Sequence, residues 1–323
     1  MSAFLFPILF IIVGTFLLIK GGGWTVDSAV FIARKKGIPP LIVGFTILAF
    51  GTSLPELIIS VLANLEGSPE IALGNVIGSN IANILLVIGV SAAFVPLISS
   101  SKAIFRDLLI MIIASGILVF LLQYGHIGRI TGGAMVLLLI GYVLLQYRLA
   151  KEKNEVPLEA EDVVTYARPI FAYGILLLGL AAVAGGADLL VRGAKDVALL
   201  LSVPEAVIGL SIVALGTSLP ELSTCIIAAK RGQSDIVLGN VIGSNIFNIL
   251  MILGVSALVK PIAMDSLAPQ LVNFDNWVML AVAVVFTLLI VFISKVNRVT
   301  GVVFSALYLL YNIFIYSLYL QGS

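Results

Sequence analysis

The fold class this chain predicts is an all-α polytopic membrane protein. It has ten transmembrane helices in two inverted five-helix repeats, with the second, third, seventh and eighth helices broken. Three observations carry the prediction. Of 323 residues, 60% are hydrophobic and only 11% charged, with a mean hydropathy of +1.18; a soluble domain holds about 25% charged residues. Apolar stretches of the ~20 residues needed to cross a bilayer tile the chain. Two motifs also occur twice: GTSLPE at 51–56 and 216–221, and GNVIGSNI, at the same distance downstream, at 74–81 and 239–246.

Apolar runs and their Gly, Pro and charge punctuation place the first five spans at approximately 3–22, 40–65, 71–98, 103–123 and 130–148. The second five fall at 169–191, 205–229, 236–259, 274–294 and 300–320. The first and sixth can run further, through amphipathic ends at 24–34 and 192–201. The N-terminus begins apolar, without a basic n-region or a small-residue cleavage site, so the first helix is expected to be retained. The polar stretch 151–162 (KEKNEVPLEAED) is the credible linker. It divides the chain into 1–149 and 169–323, joined by the short segment 150–168. Trp24, Trp277, Tyr124, Tyr308 and Tyr319 fall near span ends, where amphipathic rings suit the membrane interface.

Sliding 41–96 onto 206–261, an offset of 165, gives 30 identities in 56 positions without a gap. Chance similarity between apolar helices would match Leu, Ile and Val, not Gly, Asn, Pro and Glu. The chain is therefore internally duplicated. Five spans per half is an odd number, so the second half enters the membrane in the opposite sense. With the N-terminus outside, the inside loops hold thirteen Lys and Arg residues; the outside loops hold four, Arg129, Arg192, Lys195 and Lys260. That bias obeys the positive-inside rule. Both termini are expected outside the cell membrane and the linker in the cytoplasm.

The chemistry concentrates in the first motif. Proline inside a helix removes one backbone hydrogen bond and clashes with the preceding turn, costing about 3 kcal/mol, and Gly51 loosens the same turn. The helix should break there and free carbonyls such as those of Ala49 and Phe50. At membrane depth, free carbonyls are tolerated only inside protein or beside a water-filled cavity. Thr52 and Glu56 share one helical face at i, i+4. An ionised Glu at mid-membrane costs on the order of 2.5 kcal/mol or more, and Lys20 is the only candidate protein counter-charge. The second copy supplies Ala214, Thr217, Ser218 and Glu221, which an inverted repeat brings opposite the first. Four carboxylate oxygens, hydroxyls and carbonyls suit the 6–8 oxygen ligands of one Ca²⁺. No His/Cys set suits zinc or copper.

The second motif adds a tier. Asn75, Ser79 and Asn83 lie on one face, as do Asn240, Ser244 and Asn248, while the motif glycines allow close helix approach. Asn75 and Asn240 read best as interhelical hydrogen-bonding glue. Ser79, Asn83, Ser244 and Asn248, further along the stripe, read best as facing an ion. Asp188, Arg192 and Asp196 look like a salt-bridged helix end. Glu70 and Asp235, at equivalent positions of the repeat, read as water-facing boundary residues, and Glu66, whose equivalent is Arg231, reads as surface. The single cysteine, Cys225, excludes an intramolecular disulfide and reads as helix packing, since the only histidine, His126, falls in a loop.

Together, GTSLPE and GNVIGSN-x-x-N duplicated in five-helix halves resemble the alpha-repeats of the sodium/calcium exchanger family, within the cation/calcium antiporter superfamily. The likeness is close over 41–96 (alpha-1) and 206–261 (alpha-2). It implies exchange of Ca²⁺ for several Na⁺ by alternating access. By position it implies Thr52, Glu56, Thr217 and Glu221 as calcium ligands. It implies sodium sites from the same glutamates with the Ala49 and Ala214 carbonyls, Ser53, Ser218, Ser79 and Ser244, and a middle site at Asn83 and Asn248. Potassium-dependent relatives carry aspartate where Asn248 stands, so the likeness implies a potassium-independent type. The short linker lacks room for the calcium-sensing domains of animal exchangers.

Electrostatics agree with that implication. Two ionised glutamates match one Ca²⁺ or two to three Na⁺, whereas the ion-free site leaves both charges buried. Loaded forms should therefore cross more easily, which makes exchange obligatory. Three Na⁺ per Ca²⁺ would move one net charge, worth about 2.3 kcal/mol per 100 mV. A Ca²⁺/H⁺ antiporter using the same glutamates is the alternative. A channel lacks a fourfold filter loop, and an intramembrane enzyme would want acid–base asymmetry; no enzyme activity and no cofactor are expected. The net charge of +1 and the lack of basic runs exclude a nucleic-acid partner. The partners are membrane lipid, Ca²⁺ and Na⁺, and one chain completes the site, so a monomer suffices.

Overall fold

The computed structural model describes residues 2–99, 103–124, 127–152, 166, 168–201, 216–263 and 267–322. The first half runs α1 (Ser2–Lys36), α2 (Leu41–Thr52), α3 (Leu54–Leu65), α4 (Pro69–Phe94), α5 (Ala103–Tyr124) and α6 (Arg129–Glu152). The second runs α7 (Pro169–Leu200), α8 (Leu219–Lys230), α9 (Ser234–Val259), α10 (Leu271–Ile293) and α11 (Arg298–Gly322). Among the described residues eight helices are long and apolar enough to cross a membrane, and the bent pair α2–α3 makes nine. Only the second part of the span expected at 205–229 is described, as α8. His126, Ala214 and most of the linker lie outside the described residues.

The amphipathic extensions expected after the first and sixth spans are continuous with them, so α1 and α7 are the longest of the described helices. The sequence predicts breaks in four helices. The second bends by 44° between Thr52 and Leu54. The third and eighth differ from expectation: α4 and α9 run through, each containing a π-helical stretch, Asn83–Ile88 and Asn248–Leu253. Such a bulge widens a helix by one backbone bond instead of severing it, and recurs at functional sites. Two short antiparallel pairings join loops, β1 (Leu97–Ile98) with β2 (Lys295–Val296), and a bridge between Ile127 and Ile262. Tyr308, expected at the interface, is buried.

α9 is the most enclosed candidate span and α4 is next, so the two GNVIGSNI segments form the centre. α1 and α7 pack along each other at the periphery, with apolar side chains such as Phe6, Ile12, Phe171 and Leu177 outward.

Contacts recur in pairs related by the duplication. A Cβ on Gly14 would lie 2.6 Å from the Gly186 carbonyl oxygen, and one on Gly21 would lie 2.9 Å from that of Gly179; Gly14 and Gly21 correspond to Gly179 and Gly186 at the offset of 165. A Cβ on Gly132 would lie 2.6 Å from the Gly254 carbonyl oxygen, and one on Gly301 would lie 2.6 Å from that of Gly89. The bridge Ile127–Ile262 matches the pairing Leu97–Val296. Tyr142 donates to Asp107 at 2.6 Å as Tyr311 donates to Asp275 at 2.9 Å. For the last two helices of each half the offset grows to 168 and then 169, as with Asp107/Asp275 and Tyr142/Tyr311.

Candidate cation-binding site

Pro55 has no N–H, so the Gly51 carbonyl cannot receive the usual i→i−4 bond. The chain turns through Ser53 (φ −86°, ψ 4°) and the helix restarts at Leu54. Ser218 repeats this geometry (φ −90°, ψ 0°) ahead of α8, both serines lying in the sparsely allowed bridge region. The spacing S-x-x-E reads as a capping box, yet neither serine side chain caps its helix. The Ser53 hydroxyl instead donates across the repeats to Glu221 Oε1 at 3.4 Å. Glu56 and Glu221 fall in the first turns of α3 and α8, where the helix N-terminus favours negative charge.

Both glutamates are buried, at 2% and 1% exposure, and near enough for their charges to repel directly. Neither has a basic partner among the described ion pairs, which are Arg106–Asp107, Arg192–Asp188 and Arg231–Asp27. Lys20, the candidate counter-charge, is exposed on α1 and does not fill the role. Glu56 Oε2, Glu221 Oε2, Asn83 Oδ1, Asn248 Oδ1 and Ser244 Oγ are all buried without a protein hydrogen-bond partner. The π stretch that Asn248 opens packs on α3, which carries Glu56; the one that Asn83 opens packs on α8, which carries Glu221. Buried, uncompensated carboxylates with neutral oxygens around them are costly unless a cation joins them. An all-oxygen donor set fits a hard cation.

The other expected residues fall as follows. Thr52 and Ser218 are buried, Thr217 is half-buried, and Ser79 is buried on α4. The Thr52 hydroxyl donates to the Leu48 carbonyl at 3.0 Å and also lies against Glu221. The Ala49 carbonyl departs from expectation: it accepts the Ser53 N–H at 3.0 Å, because the helix holds until Thr52, leaving one lone pair for an ion. A cavity of about 270 Å³ lies between the two breaks and α7, lined by Pro55, Pro220, Thr217 and Asp188 among others.

Asn75 and Asn240 act as the expected glue. Asn75 Nδ2 donates to Ser60 Oγ at 2.9 Å, and Asn240 Nδ2 to Cys225 Sγ at 3.2 Å, at equivalent positions of the two repeats. Cys225 is buried, in keeping with a packing role. Asp188 and Arg192 pair at 2.9 Å on an exposed face, while Glu66 and Glu70 are exposed. Sequence reasoning missed Asn80 and Asn245, which bond to Asn248 and Asn83 at 3.0 Å each. Both stand within the duplicated motif, but one position off the stripe that carries Ser79 and Ser244.

Comparison with known proteins bears on this geometry. The family model described as sodium/calcium exchanger protein matches residues 6–148 and 171–317. The inner membrane protein YrbG of Escherichia coli (strain K12) is 36% identical, over 86% of this chain and 87% of its own. The sodium/calcium exchanger MaX1 of Methanosarcina acetivorans is 34% identical, over 95% and 98%. A solved structure of the sodium-calcium exchanger NCX_Mj, soaked with zero Na⁺ and Ca²⁺, superimposes with a TM-score of 0.81 at 34% identity, covering 97% of this chain and 99% of that one. The chain is an integral, multi-pass membrane protein that belongs to the sodium/calcium exchanger family, a family of antiporters and not of enzymes.

Proposed function

We propose that this protein exchanges Ca²⁺ for several Na⁺ by alternating access, through one site built from both repeats. The observation that carries the reading is the pair of buried glutamates, unpaired with any basic group among the described residues, beside partnerless oxygens of Asn83, Asn248 and Ser244. Thr52, Glu56, Thr217 and Glu221 hold Ca²⁺. Na⁺ uses the same glutamates with Ser53, Ser79, Ser218, Ser244, the Ala49 and Ala214 carbonyls, Asn83 and Asn248. The amides at both 83 and 248 leave the site's charge at that of two glutamates, in keeping with a potassium-independent exchanger. Every site residue comes from one chain, so the monomer is the working unit.

The ten-helix inverted repeat (1–149 and 169–323, joined by 150–168) is supported by the contact pairs described above. The proposed topology places both termini outside the cell membrane and the linker in the cytoplasm; contacts between loops support its grouping of loops by face, and the Lys/Arg bias supports its orientation. Ile127 meets Ile262 in loops assigned outside, and Lys260 Nζ reaches the Leu65 carbonyl at the outer end of α3. Leu97 meets Val296, and Arg231 pairs with Asp27 near the inner end of α1, all assigned inside.

The test is calcium-45 uptake into proteoliposomes loaded with sodium, with potassium, or with a pH gradient. Uptake that requires an outward sodium gradient supports the reading. Uptake driven by the pH gradient alone would transfer the protein to Ca²⁺/H⁺ exchange, and indifference to every gradient but that of calcium would make it a channel.

A further inference from the structure

We propose that Asn80 and Asn245, to which no role attaches so far, are positioning residues that decide which end of the Asn83 and Asn248 amides faces the transported ion. The proposal rests on the exchange reading above. An asparagine amide has an accepting oxygen and a donating NH₂ group of nearly equal size, so burial alone does not choose between them. A cation needs the oxygen; a flipped amide would present two N–H groups to it.

The choice is dictated by a chain of bonds that begins at groups able only to accept. Asn80 Nδ2 donates to the main-chain carbonyl of Asn245 at 3.4 Å and to Met279 Sδ at 3.5 Å. Asn245 Nδ2 donates to the main-chain carbonyl of Asn80 at 3.4 Å and to Met111 Sδ at 3.6 Å. Carbonyls and thioethers cannot donate, so both NH₂ groups are fixed toward them. The side-chain oxygens of Asn80 and Asn245 are thereby left to accept, and each does: Asn248 Nδ2 donates to Asn80 Oδ1, and Asn83 Nδ2 to Asn245 Oδ1, both at 3.0 Å. With their NH₂ groups so engaged, Asn83 and Asn248 keep Oδ1 free, buried and without a protein partner. The arrangement is crossed: each repeat orients the amide of the other. All four asparagines are buried to within 2% exposure, so water does not compete for these bonds.

The decisive experiment is a double-mutant cycle on the full chain in proteoliposomes, reading the sodium concentration that half-maximally drives calcium-45 flux. Asn80→Leu removes the acceptor that orients Asn248, and should raise that concentration about tenfold, the size of one lost polar contact. Asn248→Asp presents an oxygen whichever way it turns, so in its background Asn80→Leu should have no further effect. In the Asn83→Asp background the full effect should persist. The mirror pair, Asn245→Leu with Asn83→Asp, should behave in the same way. An Asn80→Leu effect of equal size in all backgrounds would assign Asn80 a merely structural role and overturn the proposal, as would an unchanged sodium requirement. Thermal unfolding identifies a variant that fails to fold, in which case Asn80→Ala and the mirror pair carry the same cycle. Loss of sodium-driven flux in the wild type would instead refute the exchange reading, so the two failures are distinguishable.

Discussion

At the scale of the residue, the two glutamates dominate because each is buried without a basic partner among the described ion pairs. Removing one charge relieves repulsion in the ion-free protein and removes the attraction for Ca²⁺. Glu221→Gln should therefore unfold at a higher temperature than wild type in ion-free buffer, yet gain nothing from added calcium. Wild type should gain about 2.7 kcal/mol at a hundred times its dissociation constant. Differential scanning with and without Ca²⁺ checks both signs. Ser53→Ala removes a long hydrogen bond to Glu221 and no proposed calcium ligand, so calcium affinity should fall by about tenfold or less, readable by calcium-45 binding. Thr52, Glu56, Ser218 and Glu221 were legible in the sequence as candidates because a duplicated Gly-Thr-Ser-Leu-Pro-Glu sets a helix break and an uncompensated carboxylate together at membrane depth. The use of Ser53 was not: the local pattern signals a cap, and only the approach of the second repeat turns the hydroxyl toward Glu221. Asn80 and Asn245 escaped for the same reason, since their partners lie 134 or more residues away.

At the scale of the element, the proline breaks aim the site. Pro55→Ala would restore an N–H for the Gly51 carbonyl and straighten the 44° bend between α2 and α3. The helix itself should gain stability while the glutamate is turned from its partners. Transport should fall by more than tenfold with the unfolding temperature unchanged or raised, a combination that flux and calorimetry on the same sample reveal. The crossing of α1 and α7 depends on backbone contact at glycine. Gly21→Val would drive a side chain into the Gly179 carbonyl, 2.9 Å from the added Cβ, and should lower the unfolding temperature by several degrees. Most helix ends were legible, the ninth expected at 274–294 and found at Leu271–Ile293, because hydropathy and Pro/Gly punctuation both mark them. The π stretches at Asn83 and Asn248 were not, since a one-residue widening leaves hydropathy untouched.

At the scale of the whole molecule, composition and the tiling of apolar runs made an all-helical, multi-pass membrane protein readable, and duplication with charge bias adds the proposed topology of inverted halves. The pairing of loops assigned to the same face is what that topology requires. It can be probed with single cysteines in a Cys225→Ser background: Glu66→Cys should react with a membrane-impermeant thiol reagent added outside intact cells, and Asn297→Cys only after permeabilisation. The reverse pattern would invert the topology. What the linear chain could not convey is how its halves interlock, with Gly132 against Gly254 and Gly301 against Gly89, because such crossings are set by shape and not by pattern.

In the proposed mechanism Ca²⁺ and Na⁺ compete for one site formed by Glu56 and Glu221. The most direct measurement is calcium–calcium exchange in proteoliposomes across a series of symmetrical sodium concentrations, for wild type, Glu56→Gln and Glu221→Gln. Sodium should raise the calcium concentration needed for half-maximal flux without changing the maximum, and either substitution should lower flux at least about a hundredfold. Calcium flux that ignores sodium, or that survives in either variant, would contradict that mechanism.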